Sequence, residues 1–150
     1  MNLLIVPKNS NMKKLILLLF SILISSNSYG GSEISLFNSN GEAVAYIAVD
    51  DDFTIYLWDG EPVAYLDDDD VYGFNGKHLG WFSQGIIIDH NGESPCVMEN
   101  RYPGYTKYES YKGYKSYKPY KSYQQYAPYK PYTSNRFSSI PCSLFLAMGK

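Results

Sequence analysis

Four glycines, Gly41, Gly60, Gly76 and Gly92, recur at steps of 19, 16 and 16 residues, each inside a copy of one pattern. The clearest copy runs Leu57-Trp58-Asp59-Gly60-Glu61-Pro62-Val63-Ala64-Tyr65-Leu66. Sixteen residues on stands Gly73-Phe74-Asn75-Gly76-Lys77-His78-Leu79-Gly80-Trp81-Phe82. An earlier copy spans 36–47 around Gly41, and a more worn one spans 88–98 around Gly92. A turn glycine at this spacing excludes long helices. Asp-Gly and Asn-Gly between β-branched and aromatic residues are hairpin signals. Asp59-Gly60 and Asn75-Gly76 predict two-residue loops, and the first and fourth copies predict loops about two residues longer. The expected class is all-β: four consecutive hairpins about a pseudo-four-fold axis, because one hairpin alone is marginal in water.

Pairing across a two-residue turn sets Trp58 opposite Glu61, Leu57 opposite Pro62 and Tyr56 opposite Val63. Trp58, Tyr56, Val63 and Tyr65 then share one face, and Ile55, Leu57, Ala64 and Leu66 the other. Both faces are apolar, so both require cover. The equivalent positions Ala45, Ala64, Gly80 and Cys96 are all small, which predicts close approach near a common axis. Tyr46, Tyr65 and Trp81 recur once per copy. They read as core packing, or as the lining of a sugar-binding groove. In the fourth copy Ser94, Pro95 and Cys96 occupy the second strand, and Pro cannot donate to a ladder. That hairpin is expected to fray or form an edge.

The residues from Ile55 to Leu66 and from Val71 to Phe82 carry a resemblance. The stretch from Ile34 to about Met98 resembles the bacterial four-fold β-flower domain. The resemblance implies four hairpin petals around a pseudo-four-fold axis and supplies no reaction.

From Tyr102, tyrosine occupies every third position through Tyr105, Tyr108, Tyr111, Tyr114, Tyr117, Tyr120, Tyr123, Tyr126, Tyr129 and Tyr132. A period of three fits neither helix nor strand and matches polyproline II. A disordered or polyproline-II-like tail is therefore expected over 101–134, with a short apolar segment, 135–150, that docks or frays. Lys112, Lys115, Lys118 and Lys121 stand between the tyrosines. Residues 31–100 hold 14 acidic residues and one basic residue, Lys77; residues 101–134 hold seven basic residues and Glu109 alone. The tail can therefore lie on its own acidic domain or reach for an acidic surface.

Lys13 and Lys14 precede an apolar run from Leu15 to Ile24, then small and polar residues to Gly30. That is a secretory signal layout, and the run is half the length of a membrane span. Residues 1–30 are read as a cleaved signal, with Met12 as an alternative start. The mature chain is expected in the periplasm, at the cell surface or secreted, with no stable membrane span. Export also lets Cys96 and Cys142 pair, or leaves them as two thiols.

Chemistry is sparse. His78 and His90 flank turn glycines without the spacing of a metal site. The aspartate runs at 50–52 and 67–70 lack calcium-loop spacing. No nucleophile–base signature occurs. No cofactor, no metal and no enzyme activity are expected. The tail readings are contact with an anionic surface or polysaccharide through Tyr and Lys, tyrosine cross-linking, or a plain spacer. Export argues against nucleic acid. The expected role is an exported interaction protein contacting envelope, extracellular surface or matrix through the tail. The alternative is a carbohydrate or peptidoglycan-binding petal module with the tail as spacer.

Overall fold

The computed structural model describes residues 32–150. The export signal expected over residues 1–30 lies outside them. Strands β1 (Glu33–Phe37), β2 (Ala43–Ala48), β3 (Thr54–Leu57), β4 (Pro62–Asp67), β5 (Asp70–Gly73), β6 (His78–Ser83), β7 (Ile86–Ile88) and β8 (Cys96–Val97) close one antiparallel barrel in sequence order. Consecutive pairs form the four hairpins. A 3-10 turn, Glu99–Arg101, and a helix, α1 (Cys142–Ala147), follow.

All four hairpin turns are the same, which corrects the expectation of two loop lengths. Gly60 N–H donates to Leu57 O at 2.9 Å, and Leu57 N–H donates to Glu61 O at 2.8 Å. The same two bonds recur at Asn38–Glu42, Gly73–Lys77 and Asp89–Glu93. Each is a three-residue loop in which the glycine alone takes positive φ, +94° at Gly60 for example. An Asn or Asp side chain braces each turn: Asp59 Oδ1 accepts from Glu61 N–H at 3.0 Å, and Asn38, Asn75 and Asp89 do likewise.

The extra loop residue makes a bulge between Ile55 and Tyr56. Ile55 pairs Ala64 as expected, but Tyr56 pairs Pro62 instead of Val63. Val63 thereby joins Ile55 and Ala64 in the core, not the aromatic face assigned to it. The aromatics meet between neighbouring hairpins: Tyr46 stacks on Tyr56 at 5.5 Å, and Tyr65 on Tyr72 at 6.2 Å.

The fourth hairpin is not a free edge. Val97 pairs both Phe37 and Ile86, so two residues of β8 suffice to close the barrel. Ser94, beside Pro95, leaves the ladder and bridges Phe137 instead.

Helix α1 covers the inner face. Cys142, Phe145 and Leu146 are buried among Leu36, Ala45, Ile47, Ile55, Val63, Ala64, Val71, Leu79, Ile87 and Cys96. The helix touches β2 and β4, its Phe145 ring lies over Gly80 of β6, and Cys142 is disulfide-bonded to Cys96 of β8. The small residues at the four equivalent positions thus make room for a helix. Burying Phe145 and Leu146 contributes about 1.5–3 kcal/mol each. Asn75 Nδ2 donates to Met148 O and Lys150 O at 2.8 Å each, so the chain end is held and does not fray.

Candidate functional site

Residues 102–134 form neither helix nor strand. They run as a belt over the four hairpin turns in order. Lys107 N–H donates to Gly41 O, Ser116 N–H to Gly60 O, Gln125 N–H to Gly76 O and Ser134 N–H to Gly92 O, all within 2.8–3.0 Å. The belt step is nine residues every time, although the turn glycines stand 19, 16 and 16 apart. A second bond, three residues earlier, joins Gly113 N–H to Trp58 O and Ser122 N–H to Phe74 O. At the fourth turn that position is Pro131, which has no N–H to give.

Nine residues are three tyrosine triplets, and each place in the triplet has its own job. Every residue donating a backbone bond to a turn lies two after a tyrosine: Lys107, Gly113, Ser116, Ser122, Gln125 and Ser134. Pro119, Pro128 and Pro131 share that place where no donation is made. Of the residues directly after a tyrosine, Lys112, Lys115, Lys118, Lys121 and Gln124 reach the barrel with their side chains.

Lys112, Lys115, Lys118 and Lys121, expected from the sequence as tail contacts, turn inward. Lys112 pairs with Glu33 and lies 4.5 Å from the Tyr46 ring centroid and 5.3 Å from that of Trp58. Lys115 pairs with Glu33 at 3.2 Å and sits over Tyr56. Lys118 pairs with Asp51 at 2.7 Å, and Lys121 lies 4.1 Å from the Tyr65 centroid. Burial pushes the Glu33 carboxyl up, but hydrogen bonds from Lys112 and Lys115 outweigh it and hold the group below its ordinary value. The Lys118 and Tyr56 hydrogen bonds lower Asp51. The basic tail therefore lies on its own acidic domain.

The tyrosines go the other way. Tyr105, Tyr108, Tyr111, Tyr114, Tyr117, Tyr120, Tyr123, Tyr126, Tyr129 and Tyr132 are 98–102% exposed. Tyr102 is the exception: its ring packs on Gly41, and its hydroxyl donates to Ser39 O at 3.2 Å. The petal aromatics proposed as a sugar groove are not accessible. Tyr46, Tyr65 and Trp81 are 1%, 2% and 6% exposed. Tyr46 and Tyr65 lie under belt lysines and Trp81 packs against His78 and His90, which corrects the ligand-contact reading. Burial, with the charges of Glu33, Asp51 and Asp59, pushes the Tyr46 phenol up to about 12.

The turn glycines Gly41, Gly60, Gly76 and Gly92 sit where the repeats placed them, with a role beyond the turn. A Cβ on Gly60, Gly76 or Gly92 would lie 1.9, 2.1 or 2.2 Å from the carbonyl oxygens of Tyr114, Tyr123 and Tyr132. These tyrosines are again nine apart. The docking residues Ser116, Ser122 and Gln125, and the barrel carboxylates Glu33 and Asp51, were not singled out from sequence. The Gly, Ser and Pro preference two after each tyrosine was the available signal.

His78 and His90 meet head to head. His78 Nδ1 lies 2.9 Å from His90 Nε2, and the ring centroids are 5.2 Å apart. His78 Nε2 lies 2.9 Å from Asp70 Oδ1. Nitrogens facing along one line share a proton; a chelated ion needs converging lone pairs. Among the described residues no three His, Cys, Asp or Glu side chains are placed to hold a metal. Nor is any helix among them long and apolar enough to cross a membrane.

A family model described as 4-fold beta flower protein matches residues 34–146, which takes in barrel, belt and most of the helix. No curated protein and no solved structure matches the chain.

Proposed function

The chain belongs to the four-fold β-flower family, and from that premise we propose that it is an exported, non-enzymatic interaction protein whose tyrosine belt contacts envelope or extracellular surfaces. The observation that carries this is the full exposure of ten phenol rings on a belt held by backbone bonds to four turns. Fully exposed aromatic rings in such number mark a contact surface, not a core. A tyrosine ring offers an apolar face and a polar tip, the chemistry that stacks on sugars. The paired belt lysines leave less free cation than composition implies, so ring stacking rather than charge is the main attraction. The petal groove is not favoured, because its aromatics are buried. The export pattern at 13–30 and the Cys96–Cys142 disulfide support an oxidising compartment.

The test is a pull-down of purified cell-wall and envelope fractions with the full mature protein and two belt variants. Replacing the ten exposed tyrosines by Ser should abolish binding, and replacing them by Phe should keep most of it. Raising salt should weaken binding little. Undiminished binding by the Ser variant would remove the belt from the function. Truncation at Asn100 is not a usable control, since it also deletes the helix from the barrel core.

A further inference from the structure

We propose that the belt is a site of oxidative tyrosine coupling that joins copies of this chain covalently. The co-reactant is hydrogen peroxide used by a haem peroxidase. The proposal goes beyond surface contact and does not depend on it.

Among the described residues, Tyr102 aside, tyrosine occurs in two populations. Tyr46, Tyr56, Tyr65 and Tyr72 are 1–5% exposed, and Tyr56 and Tyr72 donate their hydroxyl hydrogens to Asp51 and to Gln125 O. An oxidant cannot reach those rings. The ten belt rings are 98–102% exposed, and none of them stacks on another ring among the described residues. Their phenols are open to an enzyme surface.

The step balances. Peroxide, through the peroxidase, takes one hydrogen atom from each of two phenols and is reduced to two waters. The two phenoxyl radicals join by a carbon–carbon bond between ring positions ortho to oxygen. The two ring hydrogens then shift to the oxygens and restore both phenols.

Full exposure opens the rings to coupling between molecules. Tyrosines three apart on an extended chain stand roughly 9 Å apart. Belt backbone bonds to the hairpin turns hold that spacing. Neighbouring rings on one belt can also join, since two tyrosine side chains together span that distance. Rings on two copies meet without moving any backbone. Ten sites on one molecule allow each copy to join several others, so the product is a network.

The experiment treats the full mature protein with a haem peroxidase and hydrogen peroxide, then follows dityrosine fluorescence and a reducing denaturing gel. Wild type should form a ladder of reduction-resistant multimers, with cross-linked peptides mapping to 105–132. Tyr→Phe at all ten exposed positions should lose the ladder. The variant should still fold, because the rings touch nothing, and circular dichroism checks this. It should also still bind surfaces, so failure here is separable from failure of the surface reading. A ladder that survives in the Phe variant, or dityrosine confined to monomers, overturns the proposal.

Discussion

The backbone N–H of Ser116 donates to the carbonyl of Gly60 at 3.0 Å, and the Gly60 backbone has room for a hydrogen but not for a methyl group on that side. One residue therefore turns the hairpin and seats the belt. Its φ of +94° is the first demand and the Tyr114 carbonyl is the second.

Gly60→Ala tests both demands together. The left-handed backbone costs about 1–2 kcal/mol, and a Cβ 1.9 Å from Tyr114 O displaces the belt as well. Gly104→Ala is the control, since its φ is +112° and nothing lies within 4 Å. Urea unfolding should show a larger loss for Gly60→Ala, with faster proteolysis of the belt. Equal losses would mean that the belt contributes nothing at this turn.

The triplet rule is tested at two neighbouring places. Ser122→Pro removes the donor to Phe74 O and leaves a carbonyl without its partner, a loss of about 1–3 kcal/mol. Pro119→Ala changes a place that donates nothing and should stay within about 0.5 kcal/mol of wild type. Hydrogen exchange at Gln125 should rise in the first variant and not in the second. The reverse order would contradict the docking scheme.

The disulfide ties α1 to β8 across 46 residues of chain that include the whole belt. Cys96→Ser with Cys142→Ser should lower stability by about 2–5 kcal/mol. Protease cleavage at Arg136 should come first, because the belt end loses its anchor. A double variant with an unchanged urea midpoint would show that packing of Phe145 and Leu146 holds the helix unaided.

Acid should loosen the belt. The Glu33 and Asp51 carboxyls are held below their ordinary values of 4.5 and 3.8. Groups lowered in the folded state stabilise it fully above the ordinary value, and that gain is lost as pH falls through the lower folded value. Belt proteolysis should therefore rise below about pH 4, and Lys118→Gln should move that rise toward neutral pH by raising Asp51. A pH profile that Lys118→Gln leaves untouched would remove the ion pair from the account.

Much of this was legible in the residues. The turn glycines placed four hairpins, and the apolar alternation on both faces demanded two covers. The tyrosine period marked the tail as an extended chain with three residues per turn. The turn type was not legible at Asp59-Gly60, because that dipeptide also fits a three-residue loop whose bulge moves Val63 into the core. That the belt covers Tyr46 and Tyr65 was not legible either, since Lys112 and Lys121 lie more than 50 positions away.

The sequence alone determined local geometry: where the chain reverses, which residues alternate, and that every third tail residue is a tyrosine. Those follow from φ restrictions and side-chain shape within a few residues. Only the tertiary structure decided which tail face points out. The carbonyls of Trp58, Gly60, Phe74 and Gly76 need donors, and Glu33 and Asp51 need cations. Backbone N–H groups and lysines answer those needs, and a buried polar group left unpaired costs more than an exposed ring. Solvent receives the tyrosines because the barrel has no further use for that face.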